Sequence, residues 1–143
     1  MTQAANGSYC FTYARDWRLA PLAFWVHVPV PGRVEQWAPP APRPIPHKGY
    51  VLLRVAFGAH ELLFSSPAQL DHCIAVLAAK PLPTSRQLSS RRGAAYGPNG
   101  HWLSRFPARL KSPRVRDRLL RVLRAVRARV VGPGDQTTFL MVP

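Results

Sequence analysis

The sequence predicts an α+β fold: a small antiparallel sheet around a β-hairpin at about 50–65, a helix at about 66–80 packed on it, and a C-terminal arginine-rich amphipathic helix at about 113–131. Three stretches carry this expectation. "YVLLRVAF" and "ELLFS" alternate apolar residues on either side of a glycine-containing loop. "SSPAQLDHCIAVLAAK" carries the start signals of a helix followed by an apolar stripe. "PRVRDRLLRVLRAVRARV" repeats valine and leucine at helical spacing among arginines.

Taken in order, "SYCFTYARDW" alternates so that Tyr9, Phe11 and Tyr13 share one side of an extended strand. "AFWVHVPV" (23–30), rich in β-branched and aromatic residues, reads as another strand, placed at an edge by Pro29. Residues 38–46 hold five prolines in nine, so 38–47 is expected to be a stiff polyproline II connector on the surface. In the hairpin, Val51, Leu53, Val55 and Phe57 share a face that Leu62 and Phe64 meet across the turn.

Ser66 is the expected cap of the first helix, with Pro67 at its first position and Gln69 closing a capping box. Leu70, Cys73, Ile74 and Leu77 form its apolar stripe, and Pro81 stops it. Residues 81–112 have weak periodicity, three glycines and a basic character, which predict an exposed, structured loop. Ser112 caps the last helix with Pro113 at its first position, and "GPG" (132–134) ends it. The tail "TTFLMV" (137–142) has strand propensity. With no internal repeat, 1–143 reads as a single domain.

Charge sets the function classes. Twenty Lys and Arg stand against six Asp and Glu, a formal net charge of +14. Such an excess favours nucleic acid, an anionic membrane surface or an acidic protein. Seventeen of the cations are arginine in a chain also rich in alanine and proline, the bias of a GC-rich gene. That bias alone does not deplete aspartate.

On a helical wheel, Val115, Leu119, Val122, Leu123, Val126 and Val130 of the last helix gather on one side, with Leu120 at the margin. Arg114, Arg116, Arg118, Arg121, Arg124, Arg127 and Arg129 take nearly all the rest, and only Asp117 is spaced to pair, with Arg121 or Arg114. A like-charged face of this kind is intelligible if phosphates neutralise it, and the guanidinium fork suits phosphate.

The expected function is therefore non-catalytic nucleic-acid binding, as an accessory or subunit of a larger nucleoprotein assembly. Phosphates are expected at Arg91, Arg92, Arg105, Arg109, Lys111, Arg114, Arg118, Arg121, Arg124 and Arg127. Tyr96, Asn99, His101 and Trp102, in "RRGAAYGPNGHWLSR", are candidate base contacts, although Trp102 also reads as an anchor to the core.

Two alternatives stand beside this reading. One is a metal-independent ribonuclease using the loop histidines His60 and His101, with Glu61 orienting one of them. The other is an interaction subunit that docks on an acidic protein surface. No cofactor or metal is expected, since the chain has no CxxC, HxH, P-loop or GxGxxG. A buried Cys73 makes a poor nucleophile. The most apolar stretch, "LAPLAFWVHVPVPG", is short and broken by prolines, so no membrane is expected as partner. Two cysteines, Cys10 and Cys73, and no secretory leader point to a reduced, cytoplasmic setting compatible with a nucleoid.

Overall fold

The computed structural model describes residues 2–4, 7–92, 101–134 and 137–140. In chain order the elements are β1 (Thr2–Ala4), β2 (Gly7–Ala14), the helical turn α1 (Ala23–Val26), β3 (Val28–Pro29), β4 (Trp37–Ala38), β5 (Tyr50–Phe57), β6 (His60–Phe64), α2 (Pro67–Ala78), α3 (Ser85–Arg92), α4 (Ala108–Lys111) and α5 (Pro113–Val130). The architecture is α+β. An antiparallel sheet has the order β1-β2-β5-β6, and β3 and β4 form a separate two-stranded ribbon.

The hairpin follows its sequence signals. Gly58 and Ala59 make a two-residue turn between the paired Phe57 and His60, and Gly58 sits at φ +58°. A tight hairpin turn needs positive φ at its first central position, which glycine adopts without strain. The register sets Val55 opposite Leu62 and Leu53 opposite Phe64, with Tyr9 and Phe11 of β2 opposite Val55 and Leu53. The resulting face, Tyr9, Leu53, Val55, Leu62 and Phe64, is buried under α2 and α5.

α2 starts at Pro67, where Ser66 Oγ accepts a hydrogen bond from Gln69 N at 3.3 Å. The expected capping box is displaced by one residue: Gln69 Oε1 accepts from Ser65 N at 3.0 Å, and its Nε2 donates to Ser65 Oγ at 2.7 Å. Ser65 Oγ in turn donates to the Trp17 carbonyl at 2.8 Å. His27 completes the network. Its Nδ1 lies 3.0 Å from the Pro39 carbonyl, which can only accept, so Nδ1 carries the proton. Nε2 then accepts from the Ser66 hydroxyl at 2.8 Å.

These bonds tie the N-terminus of α2 to a second layer on the opposite face of the sheet, where Trp17, Ala20, Ala23 and Leu52 form a smaller buried cluster against Trp37, Ala41, Tyr50 and Leu63. Residues 39–44 belong to this layer. They form no regular ladder; Pro42 is buried and Ala41 packs on the cluster, while Pro39, Pro40, Arg43 and Pro44 are exposed.

Three expectations require correction. The strand read at 23–30 is a helical turn followed by a two-residue strand. Its aromatic and β-branched content suits a strand, but a turn sends Trp25 into the main core and Ala23 into the second cluster, which burial favours. Over their described residues, 81–92 and 101–112 are not an exposed loop. They include α3, a 3₁₀ turn at Trp102–Arg105 and α4, with Leu88, Trp102, Leu103 and Leu110 buried as isolated anchors that leave little periodicity. The tail adds no strand over the described residues 137–140: Phe139 is buried against Phe11, and Leu140 N donates to the Val130 carbonyl at 2.7 Å. Residues 141 and 142 of that reading lie outside the described residues.

α5 lies on the sheet and on α2 through Leu119, Leu120, Val122, Leu123, Val126 and Val130, all buried. Its contact with β2 passes over Gly7, where an added Cβ would stand 2.5 Å from Val122 Cγ1 and 3.0 Å from the Ala56 carbonyl. Gly7→Ala is therefore expected to cost about 1–3 kcal/mol in urea unfolding through overpacking. Val122→Ala in the same chain should add less than its cost alone, because it makes room for the new methyl group. Strict additivity would mean that the two residues do not press on one another.

Burial holds the His27 imidazole below its ordinary range, with the hydrogen bond to Pro39 acting the other way. The unfolded ring takes a proton near pH 6.5, before the folded one, so this contribution to stability is complete above that value and lost as pH falls toward the folded one. The urea midpoint should drop as pH falls below about 7, and more gently in His27→Gln. Equal slopes would assign the drop to other groups.

A candidate nucleic-acid interface

The apolar stripe of α5 fixes where its cations point. With Leu119, Val122, Leu123 and Val126 facing the core, Arg114, Arg118, Arg121, Arg124 and Arg129 are exposed. Arg114, Arg118, Arg121 and Arg124 form no ion pair among the described residues, and Asp117, on the same face, pairs with neither Arg114 nor Arg121. An ion pair of α5 lies elsewhere: Arg127 donates through Nε to Asp71 Oδ1 of α2, and through Nη2 to Oδ2 at 3.3 Å. The Asp71 carboxylate holds the Arg127 guanidinium still more firmly protonated. Asp71 was invisible as a partner because the pair joins two helices distant in the chain.

Arg116 departs furthest from the helical-wheel reading. It is buried, and its Nη1 donates to the Lys111 carbonyl at 2.9 Å. It thereby holds the corner between α4 and α5. Ser112 stands at the cap position of α5 without a side-chain cap bond; its hydroxyl donates to the Arg109 carbonyl at 3.2 Å instead.

Where α4 and the first half of α5 cross the end of the hairpin, a groove opens with a cavity of about 580 Å³. Arg109, Arg118 and Arg121 line it together with His60 and the Gly58–Ala59 turn, above Phe57, Leu110 and Val115. Among the described residues no acid lines it. His60 and Leu110 also line an adjoining cleft along β6 that includes Arg105 and one acid, Glu61, so the cations run on from Arg121 through Arg109 to Arg105. Lys111 is half-buried beside this belt. Arg91 is exposed but stands apart, lining another cleft with His72 and Trp25. The side chain of Arg92, and Tyr96 and Asn99 altogether, lie outside the described residues.

The other two base-contact candidates are interior. His101 is fully buried against Trp25 at a ring distance of 4.5 Å, and its Nδ1 accepts from Leu103 N at 3.0 Å. Trp102 is buried and donates from Nε1 to His72 Nε2 at 2.9 Å. Both serve as anchors, and the glycines around them suggested an exposure they do not have. The ribonuclease geometry suffers with them. His60 lies at the groove as the first residue of β6, but His101 presents no surface. Glu61 turns to the other face of the sheet and pairs with Arg54 at 2.7 Å.

Among the described residues no group of three or more His, Cys, Asp and Glu side chains could hold a metal ion. Burial pushes the Cys73 thiol far above its ordinary range. No helix among those residues is long and apolar enough to cross a membrane. Compared with protein-family models, curated proteins and solved structures, the chain finds no match.

Both partners of the Asp71–Arg127 pair are about one-third or more exposed, at 33% and 42%. Asp71→Asn should therefore shift unfolding by less than about 1 kcal/mol. A loss well beyond that would make the pair a principal clamp between α2 and α5.

Proposed function

We propose that this protein binds nucleic acid without catalysing its cleavage, through phosphate contacts on the exposed face of α5 and in the adjoining groove, as an accessory in a nucleoprotein assembly. The observation that carries the reading is the belt Arg105, Arg109, Arg114, Arg118, Arg121 and Arg124. All six are exposed, and none forms an ion pair among the described residues. An ordinary solvated helix face mixes charges and pairs them. Here, among the described residues, Asp16, Glu61 and Asp71 sit in ion pairs with Arg18, Arg54 and Arg127, none of them in the belt.

Arg114 to Arg121 covers about 10 Å of helix, the axial length over which one DNA strand presents about three phosphates. The apolar side of α5 is spent on the core, which leaves nothing to insert into a lipid surface.

Binding measured by fluorescence anisotropy across a salt series should weaken steeply as salt rises. Arg118→Gln with Arg121→Gln should lower affinity and reduce the slope of log K against log [salt] by roughly 0.7–0.9 for each phosphate that the variant leaves unneutralised. Labelled strands recovered afterwards should be intact on a denaturing gel. Unchanged affinity and slope in the double variant would remove α5 from the interface, and cut strands would replace the binding reading with a nuclease.

A further inference from the structure

The groove at the hairpin end is more than a row of cations. Its rim carries Arg109, Arg118, Arg121 and His60, but its floor is Phe57, Leu110 and Val115. Phe57 and Val115 are only half-buried, so part of that apolar surface faces the opening. Over the Gly58 turn there is free space, since a Cβ placed there would meet nothing within 4 Å. With about 580 Å³, the groove is in the range that sites for small organic groups occupy.

A surface meant only for phosphates gains nothing from an apolar floor, and a duplex, its bases stacked inside, offers nothing to cover one. A single strand does. Its bases are unstacked at little cost and lie readily on aromatic and aliphatic surface while neighbouring phosphates meet arginine. Arg118 and Arg121 are three residues apart on one helix face, adjacent at the rim.

Another aromatic cleft, lined by Trp17, Trp37 and Tyr50, lacks this combination. Glu35 stands in its wall, and Arg18 is paired with Asp16 at 3.1 Å. From the pairing of free arginines with an open apolar floor we infer that the groove seats a base of single-stranded nucleic acid, lying on Phe57 and Val115 between phosphates held by Arg109, Arg118 and Arg121. This inference rests on the proposed nucleic-acid binding and names the strand form that the site selects.

The test uses the full chain and three labelled probes of equal length in one buffer: a mixed-sequence single strand, a single strand of abasic residues with the same number of phosphates, and a duplex. The base-bearing strand should bind at least about fivefold more tightly than the abasic one, the low end of the stacking contribution of a single base. It should also bind more tightly than the duplex. Phe57→Leu, which keeps the floor apolar and the fold intact, should narrow the gap between base-bearing and abasic strands while leaving the abasic affinity unchanged. Arg118→Gln with Arg121→Gln should weaken both strands together.

Equal affinity for the two single strands, or a preference for the duplex, overturns the base-seating inference and leaves phosphate binding standing. Failure of all three probes to bind overturns both.

Discussion

The seating of α5 on the sheet and on α2 is the constraint from which the rest follows. Leu119, Val122, Leu123, Val126 and Val130 are essentially inaccessible, and Gly7 lets the helix approach β2 as closely as a backbone without Cβ permits. Each buried leucine or valine contributes about 1.5–3 kcal/mol, whereas each like-charged pair at i, i+4 costs only about 0.2–0.5 kcal/mol. Burial therefore decides the rotation of the helix, and the arginines accept whatever positions remain. Electrostatics does not orient α5; it inherits an orientation that packing has chosen, and the result is a cationic face held rigidly.

The N-terminus of α2 does comparable work for the second layer. Ser65, Ser66, Gln69 and His27 are all buried polar side chains, a costly choice unless each is satisfied. Here the bonds pass from Gln69 to Ser66 to His27 to the Pro39 carbonyl, and from Gln69 to Ser65 to the Trp17 carbonyl. One capping site thus fixes both Trp17 and the proline segment against the far face of the sheet. The two layers are not independent, since Leu22 and Trp25, on either side of Ala23, belong to the main core.

How much of this was legible in the sequence depends on how local the determining interactions are. The hairpin, α2 and α5 were readable because period, cap and turn signals lie within a few residues of one another, as at Gly58, Ser66 and Pro67. The face of α5 was readable too, except at Arg116, whose burial depends on a carbonyl at the end of α4, and at Arg127, which Asp71 of α2 engages. What sequence could not supply was convergence. Nothing in the chain announced that His60 and Phe57 would meet Arg109, Arg118 and Arg121, because their proximity depends on the crossing of α5 over the hairpin. The glycine-flanked "GHWLSRF" pointed the wrong way: glycines mark freedom of the backbone, not exposure of the residue beside them, and His101 and Trp102 went inside.

The sheet order implies a sequence of assembly. β5, β6 and α2 are contiguous between residues 50 and 78, and α4 leads directly into α5, so both units close only short loops. β2, by contrast, pairs Tyr9 with Val55 and Cys10 with Arg54, across the whole proline-bearing segment. Loop-closure entropy rises with the length enclosed, and long-range strand pairing is correspondingly slow. The N-terminal strand is thus one of the elements that dock through a slow, long-range pairing, and until it does, Gly7 is not yet beneath Val122. The groove at the hairpin end is subject to the same cost: its walls meet only when β5 and β6 find α4 and α5, across a stretch of chain at least as long as the one that β2 must close, so the cationic site is a product of the whole fold and of no local unit within it.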